Sequence, residues 1–307
     1  MKHQTQARII ADSVSFNSGQ RITTFEVEFP RIVLAELNTH RTLARNYASS
    51  RAIPIEKNIE MIQTSPFMPA EFGKNKPGMA ASQNLEGEDL IKARREWLSA
   101  RDKAIWQAKE LKAIGVHKQL ANRLLEPFSY IKGIITATEF KNFFFLRIAD
   151  DAQPEIRELA EKMKEAMNDS TSQPLHNGEW HLPYFVYTGA GTYRAIFNNE
   201  LELPLEEARM ISVSLCAQVS YRNEDTSLEK AKKLWKILFE GRAIHGSAAE
   251  HQATPITSEN DKGITHFLND EKKTPCSGNL QNWIQYRQLF NEPDHCSWRK
   301  ETLSTAP

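Results

Sequence analysis

An alternation of strand and helix patterns constrains the fold of this chain more than any other feature. In residues 23–29, phenylalanine and valine alternate with glutamate, which indicates a half-buried strand that ends at a proline. Residues 130–138 predict a second strand, and residues 154–167 predict a helix with proline in its first turn. Residues 89–114 predict the longest helix, because apolar side chains recur every three or four positions and a glycine follows. The chain therefore combines strands and helices with one long helical insertion.

The remaining segments give weaker predictions. Residues 54–77 are rich in proline, glycine and asparagine, so we expect a long loop there. Residues 226–229 (TSLE) predict a capping box at the start of a helix that ends at Gly241. Further helices are expected at residues 117–126, around Asn142 and Arg147, from 204 to 216 and, as a short one, at 283–290, before an irregular tail.

Composition limits the class of protein. Of 307 residues, 40% are hydrophobic and 25% charged, as in ordinary globular proteins. The 39 basic residues balance the 39 acidic ones, which disfavours binding of bulk nucleic acid while leaving room for small phosphates. No apolar leader opens the chain and no uncharged stretch is long enough to span a membrane. We expect a cytoplasmic protein without a membrane partner.

The cysteines favour the same compartment. Cys216, Cys276 and Cys296 are too few and too scattered for a disulfide framework or a zinc knuckle. Neither His245 with His251 nor the histidines around Glu179 match the spacing of a zinc template, so we expect no metal. The segment around Glu179 is expected to be a loop.

Residues 39–51 (THRTLARNYASSR) concentrate three arginines, one histidine and two serines. Guanidinium groups bind phosphate and carboxylate through two parallel hydrogen bonds, and serine hydroxyls add neutral donors. This composition predicts an anion site, with a nucleotide as its natural ligand. The competing interpretations are a solvated charged helix face and a serine nucleophile, but no nucleophile elbow of the Gly-x-Ser-x-Gly type is present.

The same run resembles the signature of the flavin-dependent thymidylate synthases, which reads Arg-His-Arg-x7-Ser. His40, Arg41 and Ser49 match that signature. Two positions differ, because Thr39 stands where the family has its first arginine and Ala44 stands where the family often has serine.

Three further segments are similar to motifs of that family. They are residues 119–127 (QLANRLLEP), residues 142–157 with NFFFLR and AQPEIR, and residues 216–221 (CAQVSY) followed by 246–251 (GSAAEH). The third normally precedes the arginine motif, whereas here it follows. The chain is therefore identified as a circularly permuted, divergent and phage-like member, a rearrangement that folds tolerate when their termini lie close together.

This resemblance implies an α/β fold, with a mixed twisted sheet flanked by helices. It implies one catalytic domain over residues 1–307, a helical insertion at about 66–115, and a segment 212–254 that corresponds to the usual amino-terminal piece of the family. Family members are homotetramers whose sites draw on several subunits, so a homotetramer is expected.

The resemblance also assigns roles to residues. Arg147 is the expected catalytic residue, because a fixed guanidinium can neutralise charge on a pyrimidine ring. Substrate binding is expected at Asn38, Ser49, Ser50, Arg51, Arg123 and Arg147, and cofactor binding at Thr39, His40, Arg41, Asn142 and His251. Arg45 is a candidate to replace the charge missing at position 39.

The implied reaction uses FAD, with NADPH and methylenetetrahydrofolate as co-substrates, to convert dUMP to dTMP. The partners are thus a pyrimidine deoxynucleotide monophosphate and a folate. Because Thr39 and Ala44 depart from the signature, flavin-dependent hydroxymethylation of dUMP or dCMP is the alternative. A nucleotide- or nucleic-acid-binding module without catalysis is the weaker alternative.

Overall fold

A computed structural model describes residues 4–78, 81, 83–220, 225–240, 245–261, 264–268, 270–271 and 273–290. Tyr221, Gly241, Cys296 and the tail beyond residue 290 lie outside these residues. The helices are α1 (Leu34–Asn38), α2 (Ile55–Thr64), α3 (Gly87–Ala113), α4 (Lys118–Ala121), α5 (Lys141–Arg147), α6 (Pro154–Asn168), α7 (Leu205–Ala217) and α8 (Leu228–Phe239). The strands are β1 (Gln6–Ser15), β2 (Arg21–Pro30), β3 (Ala44–Tyr47), β4 (Tyr130–Ala137), β5 (Gln173–Leu175), β6 (Phe185–Gly189), β7 (Thr192–Ala195), β8 (Asn198–Pro204), β9 (Ala253–Pro255), β10 (His266–Phe267), β11 (Pro275–Ser277), β12 (Leu280–Gln281) and β13 (Trp283–Gln285).

A five-stranded mixed sheet forms the centre of the fold, in the order β3-β4-β2-β1-β5. β5 runs parallel to β1, and the other neighbouring pairs are antiparallel. The sheet with its flanking helices confirms the α/β class predicted from the sequence. β2 was expected to be half-buried, but nearly all of it is buried because both faces of the sheet are covered.

The two faces of the sheet pack against different layers. On one face, Phe25 and Ile135 pack with the apolar stripe of α6, which includes Ile156 and Met163. On the other face, Ile10 and Ile134 belong to a cluster with α7 and with residues 180–195. The antiparallel sheet β6-β7-β8 extends this second layer. The motif residues lie at the β3 edge of the central sheet.

The helical insertion packs beside that edge. Helix α3 confirms the long helix expected at 89–114, and its Ile105 and Ala108 pack against α2 and against Leu125. The indole Nε1 of Trp97 donates to the carbonyl of Phe67 at 2.9 Å, so the helix is fixed to the loop that precedes it.

Several local predictions were wrong. Residues 54–77 are not wholly a loop, because α2 occupies 55–64 and buries three isoleucines against the insertion. Residues 117–126 form only the short α4, followed by a 3-10 helix that contains Pro127. Residues 283–290 begin with β13, since the edge of β9 pairs with it, and continue as a 3-10 helix.

The predicted N-cap of the helix that follows residue 226 was wrong by one residue. Ser227, rather than Thr226, is the N-cap of α8, and its hydroxyl accepts from the backbone N–H of Lys230 at 3.3 Å. By contrast, β4, α6 and α7 lie within one or two residues of their predicted positions, and α5 carries Asn142 and Arg147 as expected.

Candidate functional site

His40 and Arg147 form the central contact of the candidate site. His40 lies in the turn after α1, and Arg147 is the last residue of α5. The Nε of Arg147 donates to Nε2 of His40 at 2.9 Å, and the ring of Phe143 meets the imidazole edge-on at 5.0 Å. The imidazole is buried, so it is not a surface residue. Two motifs that are 107 residues apart in sequence are thus joined directly.

The surroundings of His40 fix its protonation state. Burial is the largest cause that lowers its pKa, and the charges of Arg147 and Arg45 lower it further. Since Nε2 accepts a hydrogen bond, the proton of the neutral ring is on Nδ1. Arg45 also donates through Nη1 to the carbonyl of His40 at 2.5 Å. The expected compensating cation therefore does lie beside the motif.

Thr39 supports Arg147 instead of adding a charge. Its hydroxyl donates to the carbonyl of Glu36 at 2.7 Å and accepts from Nη2 of Arg147 at 3.3 Å. Nearby, Asn38, Arg41 and Asn142 are exposed, and no hydrogen bond of their side chains is seen among the described residues. They lie at the ends of the segments that carry His40 and Arg147, free to meet a ligand.

A second group surrounds the carboxylate of Glu126. It receives hydrogen bonds from the Ser50 hydroxyl at 2.6 Å and from Nη1 of Arg123 at 2.9 Å, and Arg31 lies 3.0 Å away. The structure thus brings Arg123 to residues 49–51, as the sequence predicted. The Ser50 hydroxyl is buried and used by Glu126, which we did not expect of a phosphate donor.

The neighbourhood of Glu126 carries an excess of positive charge. Arg31, which sequence reasoning missed, is mostly buried, and this burial is the main cause that lowers its pKa. Arg51 is exposed, and its Nε donates to the Ser49 hydroxyl at 3.4 Å. With one carboxylate facing several guanidinium groups, the surface beside Arg51 favours an anion.

The segment with Glu250 and His251 reaches the same edge of the sheet. Nδ1 of His251 lies 2.9 Å from the hydroxyl of Thr136, which pairs in register with Ala44 of β3. The amide of Asn46 donates to the carbonyl of Cys216 at 2.6 Å. The segments that carry Cys216 and His251 therefore lie next to residues 39–51, which is what a circular permutation predicts.

Burial dominates the electrostatics of this segment. It lowers the pKa of His251 to about 3, so the ring is neutral. It also raises the pKa of Glu250, an effect opposed by the nearby Arg287 and Arg45.

The carboxyl-terminal residues contribute contacts that the sequence did not indicate. The amide of Asn279 donates to the carbonyl of Thr42 at 3.1 Å. The side-chain amide of Gln285 donates to the carbonyl of Glu250 at 2.9 Å and to Oδ1 of Asn279 at 3.0 Å. These amides link the arginine motif to the segment with His251, and no periodicity or spacing marks them in the sequence.

His181 lies in the irregular segment between β5 and β6, as expected, but its side chain is buried against the central sheet and hydrogen-bonds to Ser13 and Thr24. Among the described residues, no group of three or more histidine, cysteine or acidic side chains is placed to hold a metal ion. No helix in the described part of the chain is long and apolar enough to cross a membrane.

Comparisons with known proteins bear on this site. The profile of the family described as thymidylate synthase complementing protein matches residues 20–171, which include both the arginine motif and Arg147. Similar solved structures include the UMP/dUMP methylase PolB from Streptomyces cacaoi, bound with 5-Br dUMP or with 5-Br UMP. Each is 18% identical over 54% of this chain, covers 91% or 89% of the methylase chain, and has a TM-score of 0.43 or 0.44. No curated protein sequence matches the chain.

Proposed function

Because residues 20–171 assign this chain to the thymidylate synthase complementing protein family, we propose that it transfers a one-carbon unit to C5 of a pyrimidine deoxynucleotide. The proposed substrate is dUMP, the product dTMP, and the carbon donor methylenetetrahydrofolate. The proposal includes FAD as the resident cofactor and NADPH as the reductant.

The contact between Arg147 and His40 is the observation that carries the proposal. C5 of a uracil is a weak nucleophile unless charge that builds on the ring is neutralised. A guanidinium group supplies a planar, delocalised positive charge, and His40 and Thr39 fix Nε and Nη2 of Arg147. The Nη1 group has no hydrogen bond among the described residues and would face the ring edge. Such preorganised charge stabilises a developing anion without reorganisation.

The residues around His40 fit a phosphate-bearing cofactor. Arg41, Arg45 and Asn142 place two guanidinium groups and an amide near the buried imidazole, and an oxygen of Glu36 is the one buried acceptor without a hydrogen-bond partner in that segment of the described chain. Arg41 and Arg45 would hold the phosphates of FAD, and Asn142 its ring or adenine. When bound, the flavin reduced by NADPH supplies the hydride that completes the methyl group.

The nucleotide phosphate would lie beside Arg51. Ser49 and Arg51 are placed to donate to it, while Arg123 is held nearby by Glu126. We assign Ser50 to the support of Glu126, because its hydroxyl is buried. Asn38, at the end of α1, would contact the nucleotide from the side of Arg147.

The permutation belongs to the same proposal. Residues 212–254 would replace the amino-terminal piece of the family within one catalytic domain, since Cys216 and His251 bond directly to β3 and β4. A homotetramer is part of the proposal, and light scattering coupled to size exclusion would measure it.

Product mass is the decisive experiment. The purified protein, yellow if it retains flavin, is incubated with methylenetetrahydrofolate and either dUMP or dCMP, with and without NADPH. We expect dTMP from dUMP only when NADPH is present. A hydroxymethyl product would replace the proposed reaction by hydroxymethylation, and a colourless protein with no product would leave only a binding module.

A matched pair of variants tests the role of Arg147. Arg147→Lys keeps the charge but loses the planar fork, and we expect kcat to fall at least about a hundredfold, as on removal of one preorganised donor. Arg194→Lys, at an exposed position of β7, is the control and should leave kcat unchanged. Equal activity of the two variants would contradict the assignment.

A further inference from the structure

A continuous chain of hydrogen bonds crosses the interior of the central sheet. Nδ1 of His181 lies 2.9 Å from the hydroxyl of Ser13, and its Nε2 lies 2.8 Å from that of Thr24. The hydroxyls of Thr24 and Thr136 are 2.7 Å apart, and Thr136 is 2.9 Å from Nδ1 of His251. All five side chains are buried. The chain thus connects the first strand, β1, to the candidate site.

Both imidazoles in this chain are neutral. Desolvation is the main cause that lowers the pKa of His181 and of His251 to about 3. Each ring therefore carries one proton at neutral pH, and each of the three hydroxyls carries one. A hydroxyl has a single hydrogen to donate, so the four bonds must all point in the same direction or leave a defect.

The two directions are not equivalent. If Ser13 donates to His181, every hydroxyl hydrogen is used and only the Nε2–H of His251 is unpaired. In the reverse direction, the hydrogen of Ser13 has no acceptor and Nε2 of His251 is a bare, unpaired nitrogen. Within the described residues, neither the Ser13 hydroxyl nor Nε2 of His251 has another hydrogen-bond partner. The first direction leaves one buried group unsatisfied and the second leaves two, so the first is favoured.

We propose that this chain of hydrogen bonds, and above all His181, holds His251 as the Nε2–H tautomer. His181 is then a positioning residue, because its own tautomer is passed to His251 through two threonine hydroxyls. The consequence for the ligand rests on the proposed function, in which His251 adjoins the flavin. There, the fixed N–H would be a donor for a carbonyl oxygen or a bare ring nitrogen of the heterocycle, in an interior where water does not compete.

Nitrogen-15 NMR of the histidine side chains tests the tautomer directly, at pH 7 and without any ligand. We expect the Nε2–H form of His251 to exceed the Nδ1–H form by about tenfold or more in the wild type. Ser13→Ala removes the donor that sets the direction, four hydrogen bonds away, and should bring the ratio close to one. Thr24→Val breaks the middle of the chain and should have the same effect. The spectrum of His251→Gln assigns the resonance.

Each variant has a matched control in the same strand. Ser15→Ala removes a buried hydroxyl on the same face of β1, where it accepts only from the N–H of Ser18. Thr23→Val removes a buried hydroxyl of β2 that donates to Asp12. Both should preserve the wild-type ratio. A single Nε2–H tautomer in Ser13→Ala and Thr24→Val, or equal changes in the controls, would overturn the proposal.

The Kd for FAD, from quenching of flavin fluorescence, tests the ligand arm separately. We expect Ser13→Ala to weaken FAD binding severalfold and Ser15→Ala to leave it unchanged. If the wild type does not bind FAD, the proposed function fails while the NMR result stands. If His251 has mixed tautomers in Ser13→Ala but this variant binds FAD with the wild-type Kd, the role of His251 as a donor to the flavin is refuted.

Discussion

Acidification should remove several kcal/mol of the stability of this protein, because His181 and His251 are buried as neutral rings. Their pKa is about 3 in the folded protein, against an ordinary value of about 6.5 in the unfolded chain. Between these values, the unfolded chain binds a proton at each ring and the folded protein does not. The stability is therefore full above pH 6.5 and is lost as the pH falls toward 3.

The magnitude follows from the two shifts. Each ring contributes about 1.36 kcal/mol per pH unit within the window, so the two together contribute about 2.7 kcal/mol per unit. Between neutral pH and pH 4.5, this amounts to about 5 kcal/mol, which equals the whole stability of a marginal domain. Glu250 opposes the trend, because its raised pKa favours the folded state as the pH falls through the folded value.

Urea unfolding followed by tryptophan fluorescence at several pH values between 7 and 4.5 measures this slope. His251→Gln should reduce the slope by about 1.36 kcal/mol per pH unit, since one of the two protons is no longer bound on unfolding. The difference between variant and wild type cancels the other titrating groups. An unchanged slope in His251→Gln would refute the argument that the ring is buried as a neutral group.

Three further perturbations test the packing and the nucleotide site. Trp97→Phe keeps the ring contacts of α3 but removes the donor to the carbonyl of Phe67. The free energy of unfolding in urea titrations should fall by about 1–2 kcal/mol, and no loss would contradict that hydrogen bond. Gly133→Ala places a Cβ only 2.3 Å from the ring of Tyr47, so β3 must shift, and the free energy of unfolding should fall by about 1–3 kcal/mol in the same assay. An unchanged free energy would show that the ring moves freely. Arg51→Ala should raise the KM for dUMP about tenfold or more. The unfolding midpoint should not change, since this exposed residue bonds only to Ser49 among the described residues. An unaltered KM would remove Arg51 from the site.

Local sequence patterns were sufficient to predict most of the longer helices but, of the thirteen strands in the described part of the chain, only β2 and β4. The alternation in β2 and the apolar stripe of α3 are periodic, and the strand and the helix that they predict were confirmed, as was the helix that Pro154 opens. α2 was missed although three isoleucines recur at helical spacing, because the prolines that follow it favoured a loop. β13 was mistaken for a helix, since a short apolar run does not distinguish the two until a partner strand is known.

The candidate site was predictable only where a motif marked it. Arg147, His40 and Arg123 were found from short motifs. The structure joins Arg147 to His40 and Arg123 to Glu126, although their roles stay predictions. The burial of His181 could not be predicted, because its hydrogen-bond partners come from strands about 160 residues away. The contacts of Asn279 are equally non-local, and nothing in its own segment indicates them.

The order of the segments in the chain has a consequence for synthesis. Thr136 and His251 are 115 residues apart, and the ribosome adds about 5–20 residues per second. For on the order of ten seconds, the nascent sheet would present its threonine hydroxyls without the imidazole that covers them. The site is thus completed only after residue 251 has emerged, which makes translation stalling or truncation before that residue a way to produce a folded sheet with no finished site.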